Sequence, residues 1–268
     1  MDPHSLLLVV PRPAAVPRVV VTAQFGPGPL PQHGFARNSL WHLGATNVVQ
    51  ASGDISTEFI LEDSPETLAV WPHKFRLTLT VLLKPTSLSM QLRVQNLNDQ
   101  AAEGSAHKDA SFNFTALLHT YLGVDDITKT SVRGLQNKQY IDQLESDKSK
   151  QLKTQQNELV KFEGEVDAKY LDCNAAWVRD GGNCELALRT TGFRDFVVWN
   201  PHIAKTAGMA DMPPDAWKSF VCVEAGTVQT PVELAAGVQW EGVQGISIAM
   251  MPETQQQVAE KTLGQQKL

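Results

Sequence analysis

Apolar and polar residues alternate over long stretches of this chain. Phe75, Leu77, Leu79 and Val81 alternate with Arg76, Thr78 and Thr80, and Leu88, Met90, Leu92 and Val94 alternate with Ser89, Gln91 and Arg93. Period two over that length predicts strands with one buried face. Lys84-Pro85-Thr86-Ser87 between them predicts the turn of a hairpin. Ser111 to Leu122 alternates as well. Asn113, Thr115, Leu117 and His119 share one face, and Phe112, Phe114, Ala116, Leu118 and Thr120 share the other. Further strands are predicted over Val124–Val132, Cys184–Arg189, Phe193–Trp199, Phe220–Val223, Val228–Leu234 and Val238–Ala249, with a turn at Thr190-Thr191-Gly192. Residues 140–159 are rich in Lys, Glu, Asp and Gln, with few apolar positions, and read as a long exposed loop or partial helix. Helical period is weak throughout. The expected fold is all-β, a large antiparallel β-sandwich.

The stretch from Phe196 to Gly226 organises the rest. An apolar run, Phe196 to Trp199, ends at the turn signal Asn200-Pro201. A loop with Gly208, Asp211 and Pro213-Pro214 follows, and then the buried run Phe220–Val223. Glu224 is expected at the end of that run. A carboxylate there either reaches solvent or is paired and used, because burying it alone is costly.

Length and composition narrow the field. The chain has 268 residues, 42% hydrophobic, enough for one large sandwich or two small domains. The formal charge of −6 argues against nucleic-acid binding, which needs a basic face. Any anionic ligand must then be held by a local Arg or Lys cluster. Cys173, Cys184 and Cys222 are odd in number and scattered, which predicts a reducing, cytoplasmic setting without a disulfide framework. No histidine lies at zinc-like spacing from Cys173 and Cys184. The apolar run Leu6–Val10 is too short to span a membrane. Arg12 and Arg18 among Pro and Ala leave an organellar targeting segment open. Residues 1–22 match no pattern of the rest and are read as an aberrant or poorly ordered segment. Residues 23–253 form the expected domain, and the Gln-rich tail 254–268 is expected to fray.

Several residues are candidates for chemistry. Arg37 sits in a turn-rich loop, where a guanidinium can clamp an anion or hydroxyls or simply face solvent. His119 shares its face with Asn and Thr, so it lines either a polar pocket or a solvated sheet. Glu165 and Asp167, two apart, share a face if extended, either as an acidic strand rim or with one carboxylate on sugar hydroxyls.

Six segments then occur in the order of a known family: PQHGFARNSLW (Pro31–Trp41), ALLHTYLGVDDI (Ala116–Ile127), VRGLQNKQYID (Val132–Asp142), GEVDAKY (Gly164–Tyr170), VVWNPHIAK (Val197–Lys205) and VCVEAG (Val221–Gly226). Together, between about Gln24 and Met251, the chain resembles the hexose-6-phosphate mutarotases, or glucose-6-phosphate 1-epimerases, of the aldose 1-epimerase (galactose mutarotase-like) group. The resemblance implies a β-supersandwich with the sugar on its concave face and interconversion of the anomers of a hexose 6-phosphate. It implies His119 as general acid and Glu224 as general base. It implies substrate-binding roles for Gln32, Arg37 and Asp167. The chemistry needs no cofactor and no metal, and a monomer free of nucleic acid and membrane is expected.

The start of the chain departs from the family. Members carry early strands and an Arg-Gly-Gly-Ile-Pro motif whose arginine is expected to help bind phosphate. Here only Gln24-Phe25-Gly26 resembles the end of that segment, so the sandwich is expected short of its first strands and Arg37 is expected to carry more of the anion recognition. Two other functions compete. An impaired homologue could hold carbohydrate on the same face without turnover. A glycosidase could use Asp167 and Glu224, but it leaves His119 without a role.

Overall fold

Alternating apolar positions become the inward faces of two sheets in a computed structural model, which describes residues 15–21, 30, 33–98, 110–181, 184–210 and 212–250. The strands are β1 (Ala15–Val21), β2 (His42–Val49), β3 (Asp54–Glu62), β4 (Phe75–Lys84), β5 (Ser87–Asn96), β6 (Phe112–Gly123), β7 (Ser131–Arg133) and β8 (Gln139–Asp142). They continue with β9 (Leu152–Thr154), β10 (Leu159–Lys161), β11 (Val166–Tyr170), β12 (Ala175–Arg179), β13 (Cys184–Thr191), β14 (Asp195–Asn200), β15 (Phe220–Leu234) and β16 (Gln239–Met250). Short helices α1 (Pro65–Val70) and α2 (His202–Thr206) punctuate them. A seven-stranded sheet has the order β1-β6-β15-β14-β11-β8-β9, and a nine-stranded sheet the order β10-β7-β12-β13-β16-β5-β4-β3-β2. Neighbouring strands pair antiparallel, as hairpins and meanders allow.

The main core fills the space between the sheets. Phe75, Leu77 and Leu79 of β4 and Met90 and Leu92 of β5 meet Phe114, Leu118 and Leu122 of β6, Val198 of β14 and Val221 and Val223 of β15. Each such side chain contributes about 1.5–3 kcal/mol by leaving water. A second cluster lies on the opposite face of the seven-stranded sheet: Leu117, Val197, Trp199, Phe220, Cys222 and Val228, with Tyr121, Met209 and Met212 against them. β6 and β15 are therefore buried on both sides.

Polar cross-links hold these central strands. Gln244 of β16 is fully buried; its Oε1 accepts from Thr120 Oγ1 at 3.0 Å, and its Nε2 donates to the Val223 carbonyl at 3.4 Å. One side chain of the opposite sheet thus ties β6 to β15. Asn96, also fully buried, donates from Nδ2 to the carbonyls of Ala110 and Leu234, each at 2.8 Å.

Three local expectations are overturned. Residues 124–130 are not a strand: Asp126 accepts from the Thr128 amide and hydroxyl and starts a 3-10 turn over Ile127–Lys129. Local side-chain bonding of this kind competes with ladder formation. Residues 140–159 are not a long loop or helix but contain the end of the seven-stranded sheet, β8 paired between β11 and β9, and β9 at the edge, with few apolar residues because little covers them. Glu224 does not end a strand. β15 runs on through Leu234, so Val228–Leu234 is its continuation, with a register shift between Thr227 and Val232. The Asp195 carboxylate holds that irregularity, Oδ2 accepting from the amides of Val228 and Gln229 at 3.0 and 3.1 Å.

Within the expected N-terminal segment, residues 15–21 form β1, which pairs along β6 with Arg18 as the Cα partner of His119. The tail 254–268 and Gln32 lie outside the described residues. The three cysteines are free. Among the described residues no helix is long and apolar enough to cross a membrane.

Thr190 and Thr191, expected in a turn, belong to β13, and Gly192 just beyond its end gives the first prediction. Gly192 has φ of +78°, and a Cβ there would collide with the Glu241 carbonyl. Gly53 has φ of +73° but open space around it. Gly192→Ala should lower Tm by about 6–12 °C and Gly53→Ala by about 2–4 °C. Calorimetry checks the pair, and equal shifts would show that backbone strain alone matters at both turns.

Candidate active site

His119 and Glu224 come together by register. Cys222 pairs with Tyr121, and Ala225 pairs with Leu118, so Glu224 of β15 lies across from His119 of β6. His119 Nδ1 stands 3.1 Å from Glu224 Oε1, with side-chain exposures of 12% and 3%. The histidine is the more exposed of the two. Its ring lies parallel to Tyr121 at 4.8 Å and edge-on to Trp199 at 5.9 Å. Aromatic walls of this kind fix the ring plane and exclude water.

Asp167 joins from β11. Its Cα partner is Trp199, whose partner is Cys222, so Asp167, Trp199, Cys222 and Tyr121 form one row across four strands. Gln143 Nε2 donates to Asp167 Oδ1. Lys205, carried by α2, places its ammonium 2.9 Å from Glu165 Oε1 and 3.9 Å from Asp167 Oδ2. The helix is set by Asn200, whose Nδ2 donates to the Trp217 and Phe220 carbonyls while its Oδ1 accepts from the His202 amide.

Arg37 reaches the site through a neighbour. Its Nη1 donates to His33 Nδ1 at 2.6 Å, and the His33 ring lies 6.1 Å from that of His119, nearly perpendicular. His33 and Gly34 both hold left-handed backbone, with φ of 68° and 66°. That conformation is unusual for histidine and costs on the order of 1 kcal/mol or more, so the loop is held by its surroundings. A cation thus stands on the His119 side, and carboxylates with Lys205 and the buried Lys169 on the Glu224 side.

Burial sets the proton affinities. Desolvation raises the Glu224 pKa well above the ordinary carboxylate value, and the charge of Asp167 adds to it. Asp167 is raised too, by desolvation, against the opposing Gln143 hydrogen bond and Lys205 charge. Desolvation, then the Arg37 charge, lowers His33.

His119, Glu224 and Asp167 thus share one face, and Arg37 is coupled to them through His33. Sequence reasoning did not single out Tyr121, Trp199, Gln143 or Lys205 as site residues. Tyr121 was within reach, since alternation puts it on the His119 face. Lys205 was not, because its arrival at Asp167 depends on the turn of α2.

The comparisons bear on what such a face does. Residues 18–247 match the family model described as aldose 1-epimerase. A "Putative glucose-6-phosphate 1-epimerase" of Cenchrus ciliaris is 34% identical over 230 residues, covering 82% of this chain and 65% of the relative. One of Escherichia coli, of the same description, is 32% identical over 230 residues, covering 80% and 70%. The chain therefore spans about two thirds of the length of these relatives. A crystal structure of a "putative mutarotase" from Salmonella typhimurium superposes with a TM-score of 0.74 at 26% identity, covering 87% of this chain and 74% of that one. A galactose mutarotase related enzyme from Lactobacillus acidophilus, at 15% identity and TM-score 0.63 over 84% and 77%, shares the fold.

The raised Glu224 pKa gives a signed prediction. The folded state holds that proton more tightly than the unfolded chain does. This stabilisation is full below the ordinary value of 4.5 and is lost as pH rises through the raised value. Glu224→Gln cannot ionise, so its Tm should exceed the parent's by a margin that grows as pH rises above the ordinary value of 4.5, reaching several degrees. Thermal melts over a series of pH values check it, and a constant gap would contradict it.

Proposed function

The chain belongs to the aldose 1-epimerase family, and from that premise we propose that it interconverts the α and β anomers of hexose 6-phosphates, with glucose 6-phosphate as the type substrate. The observation that carries this reading is the 3.1 Å approach of His119 to a Glu224 buried mid-strand. A base and an acid side by side are what ring opening needs.

The Glu224 carboxylate takes the proton of the anomeric hydroxyl. The C1 carbonyl forms, the bond from C1 to the ring oxygen breaks, and its electron pair goes to that oxygen, which receives a proton from His119. Rotation about C1–C2 offers the other carbonyl face. Closure runs the same transfers backwards, Glu224 returning its proton to the carbonyl oxygen as His119 reclaims its own. Burial that raises the Glu224 pKa suits this role, because a base works best with a pKa near the operating pH. Asp167, held by Gln143 and Lys205, accepts from sugar hydroxyls.

The phosphate side follows from the sugar. C6 is attached next to the ring oxygen, so the acid and the phosphate lie on the same side of C1. Arg37, beside His33 on the His119 side, suits an anion there. In a chain of net charge −6 such a local cation is needed.

Anomer exchange followed by NMR tests the reading. Glu224→Gln and His119→Asn should each slow exchange by on the order of 10²-fold or more with little change in substrate affinity. Arg37→Ala should weaken binding of glucose 6-phosphate more than of free glucose. Full activity in Glu224→Gln would remove Glu224 as the base, and no exchange by the parent chain would leave only a carbohydrate-binding role. Equal loss for both sugars in Arg37→Ala would remove Arg37 from the phosphate site.

A further inference from the structure

The face that carries the acid–base pair holds a third side chain that the proposed reaction does not use. Cys222 sits two residues before Glu224 on β15, fully buried, in the same apolar cluster as Trp199. One ligand atom each from His119, Cys222 and Glu224 lies within 4.8 Å of the others. Sulfur, nitrogen and carboxylate oxygen at that spacing are a donor set for a borderline-soft divalent cation.

We propose that His119, Cys222 and Glu224 form a binding site for a zinc-class divalent cation, and that the cation inhibits by occupying the acid–base pair. A tetrahedral zinc ion with such donors separates them by about 3.4–3.6 Å. The histidine–glutamate pair already stands at 3.1 Å, so closing the set needs a shift of at most about 1.2–1.4 Å at the cysteine. Three protein ligands leave the fourth position to water or a sugar hydroxyl, as in open zinc sites. The charge of Asp167, felt at Glu224, favours a dication at the same place. His119, 12% exposed, is the ligand nearest solvent of the histidine–glutamate pair. Binding forms bonds from the metal to sulfur, nitrogen and oxygen and releases the thiol proton, with any proton on the other two ligands, to solvent. Magnesium and calcium, which prefer oxygen donors, should not compete.

Chain spacing hides this set. His119 lies on a different strand from Cys222 and Glu224, and only the β6–β15 register brings them together.

The proposal rests on the placement of the pair and extends the proposed function by predicting its inhibition. Its decisive readout needs no sugar. Cobalt(II) serves as the spectroscopic probe, and it should give a thiolate charge-transfer band with the parent chain. The band should be absent in Cys222→Val and Cys222→Ala, two variants of different size chosen so that one poorly packed replacement does not decide the matter. With a Kd of about 1 µM, about 10 µM free zinc leaves roughly a tenth of sites open, so anomer exchange should slow about tenfold and recover with EDTA. Both cysteine variants should exchange anomers normally without metal and lose this zinc sensitivity. No cobalt–thiolate band in the parent, or the same band in both variants, would overturn the site. Unchanged zinc inhibition in the variants would overturn it as well. If the chain exchanges no anomers, the cobalt band still decides the site, so failure of the metal proposal and failure of the proposed activity are told apart.

Discussion

The structure depends on keeping a carboxylate in the middle of a sheet that is buried on both faces. Glu224 is 2% exposed, with Val223 and Ala225 packed into the main core on one side and Cys222 in the second cluster on the other. An isolated charge there would cost several kcal/mol. Two things make the position tenable. The proton affinity rises, so the group spends more of its time neutral. An imidazole stands at 3.1 Å to accept or share the charge. The same two facts are those on which the proposed exchange of acid and base roles rests, so the cost in stability and the proposed chemistry have one origin.

Rigid framing follows from that constraint. A proton-transfer pair loses efficiency if its strands slide. Gln244 reaches across the sandwich to bond Thr120 and the Val223 carbonyl, the residues next to His119 and Glu224. Tyr121 and Trp199 fix the imidazole plane from the same sheet. Asp195 pins the irregular stretch of β15 just beyond. Arg37, His33 and Lys205 sit outside this strand frame, on a loop and on the short α2.

Much of the fold was legible in the chain. The hairpin of Phe75–Val94 and the two-faced pattern around His119 follow from period two, because one face of each strand meets the core. The polar stretch 140–159 was not legible, since edge strands lack the apolar alternation that marks a covered face. Residues 124–130 misled because an Asp-Ile-Thr turn can carry apolar residues without being a strand. At the site, Glu224 stood out as a carboxylate beside an apolar run, but its depth was invisible. Strand ends are set by pairing partners, and β15 continues because β6 and β14 do. The approach of His119 to Glu224 rested on family resemblance, since two residues more than a hundred positions apart meet only through sheet order.

The central claim is that His119 and Glu224 act as one proton-exchanging unit. A double-mutant cycle on anomer exchange of glucose 6-phosphate tests it directly, with Glu224→Gln, His119→Asn and the double variant all confirmed as folded. If the pair works as a unit, the second substitution adds little, and the double variant is about as slow as the worse single one. A double variant whose loss equals the product of the two single losses would mean that the groups act independently, and would contradict the account.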